Sequence, residues 1–531
     1  MSSAVTGASH DSAAPLAGPR EWAALAVLAL PVLLISVDMT VLGFAVPYLS
    51  EELAPSSAEL LWIVDIYSFV LAGLLVTMGT LGDRVGRRRL LLIGSAGFGL
   101  ASLLAAYAQS AEVLIAARAL LGLAGATLMP STLSLLRNIF LDPRQRLVAI
   151  ATWASMFSAG SALGPIVGGW LLEHFHWGSV FLINLPVMAL ILVLTPLLVA
   201  ESRDPSPGRY DLPSAALSLL AMLPVVYGVK KIAEYGLAPV PVAAIAVGLL
   251  LGYLFVRRQL RLADPMIDVR LFKIRAFSVG VATNFMVIFA MVSSLFFLTQ
   301  YLQIVQGISP LRAGLLLLPG LGLSVAAHFA AVALARRLSM GTVIVIGLVM
   351  TATGFLLMTQ APTEGGAVLV AVAFAVIGCG VGITDTLTND AILTAAPPSR
   401  AGAASAISET AYELGAAMGV AILGSVLTAM YRLHLDHVPG VPAPAMDAAK
   451  ETLGGAVTAA GELPAASGDA LLDTARAAFT DGMHATSLIA ALLVAYAAVQ
   501  AGLLLRGQGA GSPHRGEKDP AAEPDSAAAR R

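Results

Sequence analysis

Asp38, Asp65, Arg118, Asp385, Asp390, Glu409 and Glu413 are ionisable residues set inside long apolar runs of this 531-residue sequence. A charge at the centre of a bilayer costs about 2.5–3.5 kcal/mol even on lenient scales, so each needs a purpose. Counted at 1.5 Å per helical residue, Asp38, Asp65 and Arg118 lie roughly 13, 8 and 10 Å from one end of their runs. They can therefore share one layer. A carboxylate placed there can exchange an arginine partner for a proton or a cationic substrate; the alternative is a fixed ion pair that holds helices together. Asp38 and Asp65 are read as proton-coupling or cation-binding groups, and Arg118 as their charge partner. Asp385 and Asn389 are four residues apart and share a helix face, with Asp390 beside them near a run's inner boundary. Glu409 and Glu413 repeat that spacing, roughly 12 and 18 Å deep. Two carboxylates this close in a low dielectric cannot easily both ionise, a property suited to proton exchange. Asp385, Glu409 and Glu413 join the candidate set; a solvated vestibule is the competing account of Glu409, and Asp390 is left open between the two.

Other polar residues carry less. His328 is a possible proton site, but a hydrogen-bonded structural role fits it better. His174 with His176, and His434 with His437, have spacings that metals tolerate, yet they sit at run ends beside Trp177 and Tyr431, where interfacial residues belong. No metal site is expected. Trp62, Trp153 and Trp170 are read as interfacial or packing residues.

The elements that must position these groups follow from composition. Hydrophobic residues make up 57% of the chain and charged ones only 12%, with a mean hydropathy of +0.83; an ordinary soluble domain carries about 25% charge. This is an integral membrane protein. A net charge of −2 offers no footprint for nucleic acid. The single cysteine, Cys379, excludes an intrachain disulfide and a cysteine-only zinc site. Arginine far outnumbers lysine, a compositional hint of a GC-rich bacterial genome. Apolar runs long enough to cross the hydrocarbon core number fourteen, at 22–47, 60–81, 90–108, 112–136, 147–172, 179–200, 211–230, 238–256, 276–302, 311–335, 341–360, 366–396, 401–430 and 482–505. The first is too long for a signal-peptide core and is expected to stay. With the N-terminus inside, twenty-four of the 31 Lys and Arg fall in inner segments, six in outer loops, and one, Arg118, within a span. The positive-inside rule thus places both termini in the cytoplasm.

Six spans precede the polar loop 201–210, six follow the basic stretch 257–275, and two lie between. The expected organisation is a cytoplasmic tail (1–21), an N-terminal six-helix bundle (22–200), two inserted helices (211–256), a C-terminal six-helix bundle (276–505) and a disordered cytoplasmic tail (506–531). Residues 431–481 are expected to form an extracellular helical hairpin, with amphipathic stretches around Met446–Val457 and Asp469–Phe479. A weak repeat supports the two bundles: Ala333-Leu-Ala-Arg-Arg-Leu-Ser339 parallels Thr80-Leu-Gly-Asp-Arg-Val-Gly86, with Arg336 in place of Asp83. None of the lysines sits in a Gly-Lys-Ser/Thr phosphate loop, and no H-E-x-x-H, G-x-S-x-G or paired-cysteine motif occurs. Neither ATP hydrolysis nor an enzyme is expected, and no cofactor.

The second loop reads Gly79-Thr-Leu-Gly-Asp83-Arg84-Val-Gly86-Arg87-Arg88-Arg89. Its glycines permit tight turns, Asp83 can sit at the positive start of the third span, and the arginines hold the inner surface, forming a latch that bundles could make and break as they rock. This closely resembles the G-x-L-x-D-R-x-G-R-R signature of the major facilitator superfamily. Gly160-x3-Gly164-Pro165-x2-Gly168-Gly169 resembles that superfamily's antiporter signature, in which small residues allow close helix approach and proline bends the helix. Asp38-Met-Thr-Val-Leu-Gly-Phe-Ala-Val-Pro47, Trp62-Ile-Val-Asp65-Ile-Tyr, Arg118-Ala-Leu-Leu-Gly122 and Phe181-Leu-Ile-Asn184-Leu-Pro186 look like the fourteen-span drug:proton antiporters of the quaternary-ammonium exporter group. The likeness is specific through span 6, thins, and returns from Ala401-Gly402 through Glu409 and Glu413 to Gly415.

That resemblance implies an all-α major facilitator fold in a bacterial inner membrane, a monomer, and export of lipophilic cations driven by the proton gradient. It implicates the acids matching Asp38, Asp65, Glu409 and Glu413 in proton coupling or cation binding. Leu120 and Leu121 stand where the superfamily often has Gln. Span 10 lacks the acid that some relatives use to widen their range toward divalent cations, and Asp385 and Asp390 are candidates to replace it. A dedicated exporter of an antibiotic, using the same antiport, is the alternative; an uptake symporter fits the span 5 signature poorly, and a membrane acyltransferase would need an acid close to His328.

Overall fold

The computed structural model describes residues 15–53, 55, 57–203, 211–235, 237–262, 265, 269–435, 438–451 and 453–505, and among them there is no strand. The helices of the first half are α1 (Pro19–Leu53), α2 (Ser57–Val85), α3 (Arg87–Ala106), α4 (Ala111–Ile139), α5 (Pro143–His174), α6 (Ser179–Leu182) and α7 (Asn184–Leu198). Next come α8 (Leu212–Tyr235) and α9 (Pro239–Gln259). The second half holds α10 (Arg275–Gln300), α11 (Pro310–Ala335), α12 (Met340–Met358), α13 (Ala367–Ala395), α14 (Ala401–His434), α15 (Ala443–Glu451), α16 (Leu453–Gly461) and α17 (Ala465–Leu504). Local chemistry sets several starts. Ser110 accepts from the Val113 N–H to open α4, and Asp142 accepts from the Arg144 and Gln145 N–H groups with Pro143 at the first position of α5.

Each apolar run falls on a helix. Among the described residues thirteen spans are long and apolar enough to cross a membrane, and α8 adds the shorter apolar stretch Pro213–Val229. The sixth run is broken between α6 and α7, just before Pro186. Two hydrophobic cores organise the chain, one built almost wholly from residues 24–199 and the other from residues 279–505. Their helix pairings repeat. In the first, α1 packs on α5, α2 on α4, and α3 on α4 and α7; in the second, α10 packs on α14, α11 on α13, and α12 on α13 and α17. The two halves meet through the corresponding pairs α5–α11 and α14–α2. Between them α8 and α9 pack on each other, and α8 alone leans on α2 and α14. Only 11% of the apolar window of α9 is buried, so its flanks are left for lipid.

Two expectations need correction. The stretch Asp469–Phe479 is no separate limb of an outer hairpin: it opens α17, a single helix of 40 residues that continues through the last span. No proline interrupts it after Pro464, and Ala- and Leu-rich sequence propagates a helix readily. The hairpin that does form lies earlier, from α15 and α16, which pack together, with Tyr431 donating to the Ala449 carbonyl at 2.8 Å. In the antiporter signature, Gly160, Gly164 and Gly168 face α1, where a Cβ would collide with Leu33 and Ser36, with Thr40, and with Val41. Gly169 faces open space and takes no part in that contact; it follows Gly168 by one position and so turns about 100° away. The side chain of Pro165 lies outside the described residues. Gly164→Leu should wedge α1 from α5 and destabilise the fold by about 1–3 kcal/mol, read as a lowered melting temperature in detergent, whereas Gly169→Leu should leave it unchanged.

Candidate functional site

The signature loop joins the two halves, though not as expected. Asp83, near the end of α2, accepts from Arg87 Nε at 2.8 Å and Nη2 at 2.6 Å through Oδ1. The same carboxylate accepts from the N–H groups of Gly402 and Ala403, both at 3.0 Å. Asp83 therefore sits at the positive start of α14, not of α3. The reason is an orphaned helix end: Arg400, before α14, caps nothing with its side chain, so a carboxylate from the other half satisfies those donors. The start of α3 is taken by Glu201, which accepts from Arg88 N at 3.0 Å and Arg89 N at 3.2 Å. Gly86 makes room for it, with φ +119 and the Glu201 carboxylate where a Cβ would stand. Gly79 lies against Gly402 and Ala406, bringing α2 and α14 into backbone contact. Arg87 reaches further, to the Pro398 carbonyl at 2.9 Å and Ser202 Oγ at 3.0 Å, while Arg88 donates to the Val199 carbonyl at 3.1 Å. Arg84, half-buried, has an interaction partner too.

A cavity lies between the halves, with an empty volume, open mouth included, of about 670 Å³. Asp385, Glu409 and Glu413 line it together with His328. Among the described residues no lysine or arginine lines it, and the remaining wall is largely apolar, including Met39, Met291 and Trp153. Helix spacing explains the convergence: Asp385 and Asn389 on α13, and Glu409 and Glu413 on α14, each present successive turns of one face. Asn389 Nδ2 donates to Asp385 Oδ1 at 2.8 Å; Ser408 Oγ donates to Asn389 Oδ1 at 2.8 Å and accepts from Asn284 Nδ2 at 3.1 Å. This chain runs from α10 to Asp385. Glu409 is 6% exposed, and among the described residues it has no hydrogen bond or ion pair. A wall with three carboxyl groups and no basic counter-ion reaches neutrality only by taking up protons or a cation.

The family model of the Major Facilitator Superfamily matches residues 28–420. The chain belongs to the major facilitator superfamily. It is 52% identical to the multidrug efflux pump LfrA of Mycolicibacterium smegmatis over 95% of this chain and 100% of that protein. It is 38% identical to the methyl viologen resistance protein SmvA of Salmonella typhimurium, over 87% and 93% of the two chains. The tetracenomycin C resistance and export protein of Streptomyces glaucescens is 30% identical over 93% and 94%. The structure of the human organic anion transporter MFSD10 shares the fold, with a TM-score of 0.57 at 16% identity, covering 90% of this chain and 100% of that one. The protein is thus a multi-span transporter of the bacterial inner membrane and not an enzyme.

In this major facilitator chain Asp38 and Arg118 form a sealed pair outside the cavity wall. Arg118 Nη1 donates to Asp38 Oδ2 at 2.9 Å and Nε to the Ile63 carbonyl at 3.2 Å, with the guanidinium 4.7 Å from the Tyr67 ring centroid. Asp38 is 5% exposed and Arg118 2%. Asp65 is on α2, but its side chain lies outside the described residues. Asp390 accepts from Arg146 Nε at 3.1 Å, an ion pair between α13 and α5 that bridges the halves and explains it as a structural residue. His176 meets Glu52 at 3.0 Å, His174 contacts the Trp170 carbonyl, and His434 the Met430 carbonyl, while His437 lies outside the described residues. No metal-binding cluster occurs among the described residues. Sequence reading missed Glu201, whose place after a span marked it only as loop. It also missed Asn284 and Ser408, although Asn284 was legible as an amide in the middle of an apolar run.

Proposed function

We propose that the protein is a proton-coupled antiporter that exports lipophilic cations, quaternary ammonium compounds and dyes among them, by alternating access of its two bundles. The observation that carries this is Glu409, buried with no hydrogen bond or ion pair among the described residues, beside Asp385 and Glu413 in a cavity whose described lining holds no lysine or arginine. Drug efflux itself rests on the relatives, foremost the 52% identical multidrug efflux pump. Protons and cation compete for the carboxylates; apolar, methionine-bearing walls tolerate varied shapes. Asp38 exchanges Arg118 for a proton during the cycle, Asp65 belongs to the same layer, and no cofactor is needed beyond the gradient. A monomer with both termini in the cytoplasm completes the picture. One charge crossing 100 mV is worth about 2.3 kcal/mol, roughly a fifty-fold gradient, so export of a monovalent cation with a net electrical drive takes at least two protons per cycle. Several buried acids suit that count.

A substrate panel in proteoliposomes with an imposed pH gradient tests the reading. Ethidium and quaternary ammonium ions should move against their gradient only while the pH difference lasts, and adding them to the purified protein should release protons. Movement that ignores the pH difference would sink the coupling. The tetracenomycin relative favours a dedicated antibiotic exporter as a second reading; the same panel separates the two by breadth.

A further inference from the structure

His328, on α11, lines the cavity wall and has no part in the proposed coupling. It is 3% exposed, and its Nδ1 lies 2.9 Å from Thr386 Oγ1 on α13. Thr386 Oγ1 also bonds the Gly382 carbonyl, at 3.1 Å. A hydroxyl has one hydrogen, and a carbonyl can only accept. Both contacts are met when Thr386 donates to Gly382 and accepts from Nδ1–H. Among the described residues no carboxylate lies at ion-pairing distance from the ring, and in the neutral imidazole these bonds set the tautomer: Nδ1 carries the hydrogen and Nε2 a lone pair. Nε2 has no partner among the described residues, and with Nδ1 turned to α13 it is the nitrogen left to the cavity. One turn earlier on α11, Ser324 Oγ meets the cavity-lining Ser158 Oγ at 3.2 Å.

We propose that His328 Nε2 is a hydrogen-bond acceptor subsite that selects cations carrying an N–H or O–H donor, such as amino-substituted aromatic cations, over cations clothed only in carbon. The subsite rests on the export reading above. Thr386 is its positioning residue, because it decides which ring nitrogen holds the hydrogen. The carboxylates recognise charge in any cation; the imidazole lone pair adds a contact that a fully substituted onium ion cannot make.

The test compares two permanent cations in proteoliposomes under the same pH gradient: ethidium, which bears aryl amines, and tetraphenylphosphonium, which bears no donor. His328→Leu should lower the ethidium-to-tetraphenylphosphonium ratio of apparent affinities about tenfold. His328→Gln, which keeps an acceptor, should recover part of it, and Thr386→Val, which releases the tautomer, should lower it in part. An unchanged ratio in His328→Leu overturns the proposal, as does joint loss of pH-driven transport of both cations, which would make His328 a proton carrier. Should His328→Leu not fold, an unchanged ratio in Thr386→Val overturns it equally. If the unaltered protein exports neither cation, the export reading itself has failed, and the subsite with it.

Discussion

Glu409→Gln is expected to leave a folded carrier that exchanges substrate across the membrane but no longer concentrates it. The substitution keeps the size and hydrogen-bonding capacity of the side chain and removes only its charge. In the proposed antiport Glu409 is the coupling group among the cavity acids: Asp385 is tied by Asn389 at 2.8 Å and Glu413 has an interaction of its own, whereas Glu409 has no hydrogen bond or ion pair among the described residues. Its charge, when present, is balanced only by what occupies the cavity. A pH difference of two units sustains about a hundredfold cation gradient for each proton exchanged. Steady-state ethidium ratios in proteoliposomes should therefore fall from that order to near one in Glu409→Gln, while ethidium–ethidium exchange persists. A variant that still concentrates dye would move the coupling to another acid. Loss of exchange as well would make Glu409 a binding or folding residue instead.

The sequence exposes these acids because charge is scarce in it. Glu409 and Glu413, or Asp385 and Asn389, stand out four residues apart in apolar runs, and helix periodicity alone brings each pair to one face. Span positions were equally legible, since length and hydropathy decide them: thirteen of the fourteen expected runs fall on helices long and apolar enough to cross a membrane, and the seventh on the shorter apolar stretch of α8. What stayed hidden depends on contacts between distant segments. Nothing near Asp83 in the chain says that its carboxylate will cap α14, some 320 residues on, because an orphaned helix end is completed by whichever acid the fold brings near. Glu201 reached the start of α3 by the same route. Arg118 could be assigned a carboxylate partner, and it took Asp38. The extent of α17 was misjudged for a different reason: amphipathic and apolar stretches can share one helix when nothing breaks it, and periodicity carries no stop signal of its own.

Asp83→Ala is expected to free the end of the molecule that the signature loop holds shut. One carboxylate there accepts two hydrogen bonds from Arg87 and two from the start of α14, and Arg87 is 1% exposed. Removing it takes the carboxylate from a buried guanidinium, which keeps only the Pro398 carbonyl and Ser202 Oγ of the acceptors named above, and uncaps a helix in the same step. Breaking a buried pair by deleting one partner costs about 3–5 kcal/mol. That cost falls only on the arrangement in which α2 and α14 touch, because apart from it Arg87 and the α14 N–H groups can meet water. The equilibrium should shift toward the opened arrangement by two orders of magnitude or more. A thiol placed at Ala403, 5% exposed, reports it once Cys379 has been replaced by Ser. Maleimide labelling at that position should be slow with Asp83 present and about a hundredfold faster in Asp83→Ala. Asp83→Asn, which keeps one acceptor oxygen, should fall between. Equal labelling rates in all three would mean that the contact between Gly79 and Gly402, not the carboxylate, holds this end closed; Gly79→Val would then speed labelling where Asp83→Ala does not.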